Sequence, residues 1–361
     1  MQQIDEVRAS AFTIPTDRGE SDGTLEWDAT TMIVVEVTAG GQRGLGYSYA
    51  EASAAGLVIR TLAPRVIGLD ALAVPTAWVA MVRAVRNVGR AGVASGAIAA
   101  VDAALWDLKA RLFGVALVDL LGPVRDGVEV YGSGGFTSYS TDEVAQQLAG
   151  WVEAGISKVK MKVGSDPAAD EARVAAARTA IGPDAELYVD ANGAYTPAQA
   201  LAQAEAFGRL GVSWFEEPVS SDDLDGLRRV RHGAPAGMDV TAGEYGYDVT
   251  YFERMLRAEA VDVLQADATR CGVTGLVQAA ALCQARSMPL SAHTAPALHA
   301  HLGCALAPIR HLEWFHDHVR IERMFFDGVL EPVDGRLVPD RGRPGHGLTF
   351  KAVDAQRWAV R

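Results

Sequence analysis

Cysteine is scarce in this 361-residue chain: Cys271, Cys283 and Cys304 are the only three, and no two form a CxxC pair. That rules out a disulfide framework or a cysteine-built zinc site as the organising device, and a reduced compartment is the default. Positive charge is also short. Against 45 Asp and Glu stand 33 Lys and Arg, a formal net charge of -12, whereas a nucleic-acid backbone or an anionic membrane calls for clustered cations. No apolar run approaches the roughly 20 residues that span a bilayer. The opening Met1-Gln-Gln-Ile-Asp-Glu6 has neither the basic nor the apolar stretch of a signal peptide. The expectation is a cytoplasmic protein that engages neither nucleic acid nor membrane. What is abundant is apolar residue, 49% of the chain, enough to bury a large core divided between two domains.

Read in order, the chain begins with alternating, strand-like runs: Ile4 to Ile14, Thr31 to Val37 and, after Gly40-Gly41, Gly44 to Tyr49, the pattern of a small antiparallel sheet. Between the first two runs, the polar, glycine-bearing stretch from Asp17 to Thr24 reads as a mobile loop able to act as a lid. From Ala52 to about Gly122 the period turns helical and implies three helices on the sheet. Leu121-Gly122-Pro123 punctuates the chain, so residues 1–124 are expected to form an α+β capping domain with lid loops.

Beyond that point one unit recurs. Strand-like runs begin near Val128, Val159, Leu187, Ser213, Asp239, Asp262, Pro289 and Leu312, with helical runs between them. Helix starts are marked at Ser140-Thr-Asp-Glu143, a capping box, and at Thr196-Pro197, a cap followed by proline in the first turn. Eight strands alternating with helices suit a TIM-type (β/α)7β barrel over residues 125–320, with 321–361 packing back on the capping domain. A doubly wound sheet is the rival. Its marker is missing, because Gly132-Ser-Gly134-Gly135-Phe-Thr137 places threonine where the third glycine of a dinucleotide fingerprint belongs.

In such a barrel, chemistry collects at the carboxyl ends of the strands. Strand two ends in Lys158-Val-Lys160-Met161-Lys162, whose period of two puts Lys160 and Lys162 on one face. The following strands end at Asp190 and Asn192, Glu216, Glu244, Asp267, His293 and, on strand eight, His311-Leu-Glu313. Three carboxylates on neighbouring strands repel one another unless a hard cation joins them, so Asp190, Glu216 and Glu244 are candidate ligands for Mg²⁺, with Mn²⁺ as the alternative. Lys162 and His293 come from opposite sides of the mouth and could each exchange a proton with carbon. A cation and a second ammonium nearby would lower the pKa of Lys162. Asp267 could accept a hydrogen bond from His293 and fix its tautomer.

The order Lys160-x-Lys162, Asp190-x-Asn192, Glu216-Glu217-Pro218, Glu244, Asp267, His293 and Glu313 resembles the enolase superfamily, in particular its mandelate racemase-like subgroup, over nearly the whole chain. The resemblance implies a Mg²⁺ site at Asp190, Glu216 and Glu244, two bases in Lys162 and His293, and Asp267 as the partner of His293. It also implies that Lys160 neutralises a substrate carboxylate, that Glu313 hydrogen-bonds it, and that Asn192 reaches a substituent on the α-carbon. The implied reaction is removal of the proton α to a carboxylate, giving an enediolate.

Loss of a β-hydroxyl then means dehydration, and reprotonation on the other face means racemisation or epimerisation. Polar residues placed near the mouth, Tyr47, Ser48, Tyr49, Ser138, Tyr139, His311, His316 and His318, favour a sugar acid or related hydroxy-acid, with Tyr47, Tyr139 and His316 as candidate substrate contacts. Dehydration is therefore the first expectation, racemisation the second, and a silent carboxylate-binding barrel the rival from another class. The expected partners are a small-molecule carboxylic acid and further copies of the chain in a homo-oligomer. Two departures from the subgroup stand out. Arg270 replaces the lysine of muconate-lactonising relatives, and Gly272-Val-Thr carries one glycine where two are usual, a shortening that threatens the Asp267–His293 alignment.

Overall fold

The structure, a computed structural model, describes residues 2–360. Three antiparallel strands open it: β1 (Ile4–Ser21), β2 (Glu26–Ala39) and β3 (Gln42–Tyr49), in the order β1-β2-β3. One face carries Ile33, Val35 and Val37, all buried, against the helices α1 (Val74–Ala84) and α2 (Val93–Phe113). The helix can lie this close because β3 has glycine beneath it. A Cβ on Gly44 would sit 2.1 Å from the carbonyl oxygen of Ala104, and one on Gly46 equally near that of Ala100, separations real side chains do not reach.

Eight parallel strands follow: β4 (Val128–Gly134), β5 (Lys158–Lys162), β6 (Glu186–Asp190), β7 (Val212–Glu216), β8 (Asp239–Ala242), β9 (Val263–Ala266), β10 (Leu290–Ala292) and β11 (Ile309–Phe315). They pair in sequence, and β11 closes on β4. Seven helices connect them: α3 (Thr141–Glu153), α4 (Asp170–Ile181), α5 (Pro197–Arg209), α6 (Leu224–Gly233), α7 (Val249–Arg257), α8 (Ala268–Ala285) and α9 (Pro296–Ala305); α10 (His316–Phe325) comes after the last strand. This is the TIM-type barrel with an α+β cap that the repeating pattern predicts. Both helix-start signals are physical caps. The side chains of Ser140 and Thr196 accept from the backbone N–H groups of Glu143 and Gln199, whose own side chains reach back. Among the described residues no helix is long and apolar enough to cross a membrane.

The interior is filled rather than hollow. Tyr131, Tyr188, Trp214 and Val263 are fully buried in its lower layer, and His311 belongs with them instead of at the mouth. Its ring centroid lies 4.9 Å from that of Tyr131 and 5.2 Å from that of Trp214. The reason is register: β11 runs on to Phe315, so His311 sits one inward-facing position below Glu313.

The stretch from Asp17 to Thr24 differs from its expectation as a mobile loop. β1 continues to Ser21 and β2 begins at Glu26, so these residues close a long β-hairpin over the barrel. The tip is docked. Thr137 donates its N–H to the carbonyl of Ser21 at 2.8 Å, and the Ser21 and Thr137 hydroxyls are 2.6 Å apart. Gly23 lies so tightly on the barrel that a Cβ would be 2.4 Å from the Ala191 carbonyl oxygen and 2.7 Å from that of Val163.

The C-terminal segment touches both bodies. Arg336–Leu337 pairs antiparallel with β4. His346 accepts no such sheet role: its N–H donates to Asp107 on α2 at 2.8 Å, and its Nε2 is 2.7 Å from the Leu45 carbonyl.

Candidate active site

The strand register brings the acids together. Lys162 is paired with Asp190 and Asp190 with Glu216 across β5, β6 and β7, while Glu244 follows just beyond the end of β8. One oxygen from each of Asp190, Glu216 and Glu244 lies within 4.8 Å of the others, and all three residues are buried. Burial and the charge of Asp190 push Glu216 up to about 8. Burial also works against a charged Asp190, but Lys162 and Lys160 outweigh it and hold this carboxyl low. A buried acid kept from ionising by its neighbours, in an all-oxygen set, is what a hard divalent cation would relieve, so the donors fit Mg²⁺.

Lys160 lies beneath the cluster, 1% exposed, 2.5 Å from Glu216 Oε1, 2.8 Å from Glu313 Oε1 and 3.2 Å from Asp190 Oδ2. Lys162 reaches higher and donates to Asp190 Oδ2 at 2.6 Å and to Asn192 Oδ1 at 2.9 Å. Burial acts against its ammonium, yet Asp190, Glu244 and Glu216 together outweigh it and raise the Lys162 pKa, opposite to the direction expected. A cation sharing the charge of these three acids would leave burial and Lys160 as the main influences, both of which lower it.

Across the mouth, His293 Nδ1 is 2.9 Å from Asp267 Oδ2, and its Nε2 lies 3.2 Å from Glu244 Oε2 and 3.7 Å from Glu313 Oε2. Burial disfavours the imidazolium, but Glu244, Glu313 and Asp267 prevail and raise its pKa. The shortened loop after Asp267 does not disturb the pair. Gly272 takes φ 76° and absorbs the turn, at a point where a Cβ would meet Asp102 Oδ2 and Trp78 at 2.8 Å. Glu313 is oriented by the Ser133 hydroxyl at 2.6 Å and the Thr294 N–H at 3.0 Å. Although burial opposes its charge, Lys160 and His293 bring its pKa down to about 2. Asn192, Glu217, Thr294 and Ala295 all have positive φ. These are four of the seven described non-glycine residues with positive φ, and they follow β6, β7 and β10 at the rim.

Lys162 and His293 face one cavity of about 480 Å³, with Asn192, Glu244, Asp267 and Glu313 also in its wall. Its roof comes from the cap: Trp27, Thr30, Thr31 and Tyr49. Three predicted substrate contacts lie elsewhere. Tyr47 is buried behind Tyr49 and donates to Glu322 Oε1 at 2.5 Å; Tyr139 packs on Phe136 beneath Arg18; His316 turns to the hairpin, 3.0 Å from Asp17 Oδ2. His318 does line the cavity, stacked on Tyr49 with centroids 3.5 Å apart, and burial lowers its pKa to about 3.

Sequence reasoning missed Arg270 as a member of the site. Its guanidinium lies over the Tyr245 ring at 4.6 Å and donates to the Glu244 carbonyl at 3.0 Å. Its spacing of three from Asp267, one helical turn onward, was the available signal.

Comparison with known proteins matches both parts of the chain. Residues 143–355 match the family described as enolase C-terminal domain-like, and residues 23–122 match the mandelate racemase / muconate lactonizing enzyme N-terminal domain. A mandelate racemase/muconate lactonizing enzyme-like protein from Rubrobacter xylanophilus is 51% identical, with a TM-score of 0.97 over 99% of this chain and 100% of that one. The L-talarate/galactarate dehydratase of Salmonella typhimurium is 31% identical over 91% of this chain and 82% of its own length. Its structure liganded with Mg and L-lyxarohydroxamate gives a TM-score of 0.91, covering 100% of this chain and 93% of that one, at 28% identity. The D-galactarolactone cycloisomerase of Agrobacterium fabrum is 32% identical over 75% of this chain and 72% of its own length.

Proposed function

We propose, for a chain that belongs to the mandelate racemase/muconate lactonizing enzyme family of the enolase superfamily, that it is a Mg²⁺-dependent dehydratase of a sugar acid or related hydroxy-acid. The observation that carries this reading is the placement of Lys162 and His293 on opposite flanks of one cavity whose wall includes Glu244 of the carboxylate cluster. Asp190, Glu216 and Glu244 would hold the cation; when bound, it supplies the positive charge against which a carboxylate can accept a second negative charge.

The remaining work falls to side chains. Lys160, fixed under the cluster, adds positive charge on the same side, and Glu313 offers an oxygen to the substrate carboxylate. Lys162 takes the proton from the α-carbon. His293, its Nδ1–H held by Asp267, delivers a proton from Nε2 to the β-hydroxyl, which leaves as water; the enol that remains becomes a 2-keto-3-deoxy acid. The dehydratase among the relatives supports this choice. The second reading, epimerisation, uses the same two bases and differs only in whether His293 protonates carbon or oxygen.

Incubating the enzyme with Mg²⁺ in D₂O and a panel of aldonic acids, aldaric acids and their lactones separates the readings. Dehydration yields a keto acid, and Lys162→Ala and His293→Asn each lower kcat by about a hundredfold or more with the circular dichroism spectrum retained. Wild-type rates in both variants would overturn the assignment. Recovered substrate carrying α-deuterium, with no keto acid, would mark an epimerase.

A further inference from the structure

Outside the catalytic cavity, three potential metal ligands meet where the hairpin touches the barrel. Asp17 and Glu20 come from the far end of β1, and His316 opens α10; one donor atom of each lies within 4.8 Å of the other two. Glu20 is 1% exposed. Its Oε2 accepts from Trp27 Nε1 at 2.8 Å, whereas its Oε1 is buried without a partner. A buried carboxylate oxygen left unpaired is destabilising, and native structures seldom tolerate it without a bound water or ion. The neighbouring Asp317 does not answer this need. It is an acid too, and it is already engaged by Thr30 Oγ1 at 2.5 Å and Arg320 Nε at 3.1 Å.

We propose that Asp17, Glu20 and His316 form a second divalent-cation site, separate from the catalytic cluster, which clamps the hairpin to the barrel. The donor set names the class of ion. One imidazole nitrogen with two carboxylates suits Zn²⁺ and its first-row neighbours, while Mg²⁺ and Ca²⁺ prefer oxygen alone. One pair already stands near the spacing of that shell: ligand atoms on a tetrahedral Zn²⁺ with bonds near 2.0–2.1 Å are about 3.3 Å apart, and His316 Nε2 and Asp17 Oδ2 are 3.0 Å apart, with the Glu20 donor within 4.8 Å of both. Both of these side chains are partly exposed, so rotation onto an ion is unobstructed by a packed core. The ion would also act on the cavity. Glu20 holds Trp27, and Trp27 is part of the roof, so fixing Glu20 fixes the roof over the substrate.

The test uses the Mg²⁺-loaded enzyme dialysed against Zn²⁺, with both metals counted by mass spectrometry. The expected result is one further Zn²⁺ per chain with Mg²⁺ retained; His316→Ala and Asp17→Asn, both surface changes, each raise the Zn²⁺ Kd by about tenfold or more. Amide hydrogen exchange over residues 17–28 should slow on adding Zn²⁺ to the wild type and not to the variants. Equal Zn²⁺ uptake by all three proteins, or uptake only at the expense of Mg²⁺, would overturn the proposal.

Discussion

Asp267 uses its two oxygens for different tasks. Oδ1 accepts from the N–H and hydroxyl of Thr269, both at 2.7 Å, and so caps α8, while Oδ2 holds His293 Nδ1. Asparagine keeps an acceptor for the cap but cannot support an imidazolium electrostatically. Asp267→Asn should therefore leave the melting temperature within a few degrees and lower kcat by about a hundredfold, as steady-state kinetics and thermal denaturation would record together. The residues proposed as catalytic stand where the sequence places them, at or just beyond strand ends, because a period of two fixes the face. The substrate contacts were less legible. Tyr47 and Tyr49 share a face, yet only the outer one reaches the cavity, and the inner one is spent on Glu322. His316 and His318 lie two apart on a helix and therefore point in different directions, one to the hairpin and one inward. Polarity located these groups near the mouth; only register and helical phase decide which of them face it.

Among the elements, the hairpin of β1 and β2 is the one whose character the sequence concealed. Its polar stretch reads as a loop because hydrophilic residues with glycine are usually solvated, and nothing local reveals that Thr137 and Ala191 wait as its partners on the barrel. The barrel strands were easier, since apolar runs between capped helices repeat and every start but the last falls within one residue of its expected place; β11 begins three residues early, at Ile309. The docking of the hairpin gives its own prediction. Gly23→Val places a branched side chain where backbone oxygens stand 2.4 and 2.7 Å from the Cβ position, so the tip must lift. KM should rise about tenfold while kcat and global stability change little, because Trp27 and Thr30 leave the roof but the strand ends stay in place.

At the scale of the molecule, α2 of the cap and α8 of the barrel are joined through Asp102. Its Oδ2 accepts the Thr274 N–H at 2.8 Å, and its Oδ1 accepts the Thr274 hydroxyl at 2.6 Å. Burial nevertheless dominates and pushes this carboxyl up to about 7. A carboxyl whose folded pKa lies above its unfolded value keeps a proton that the unfolded chain has released. Its contribution to stability is thus greatest in acid and declines as pH rises from about 4 to 7, by at most about 1.4 kcal/mol per pH unit. Denaturant midpoints measured across that range should fall less steeply in Asp102→Asn than in the wild type. An undiminished slope in the variant would assign the titration to another group.

The roof of the cavity and its floor belong to different parts of the chain: Trp27, Thr30, Thr31 and Tyr49 hang from the cap, while Lys162, His293 and the acids rise from the barrel. Admission and reaction are therefore encoded apart. Drift in the first fifty residues can change which molecules are welcomed without touching the groups that break the bond, and a new guest list requires no new chemistry.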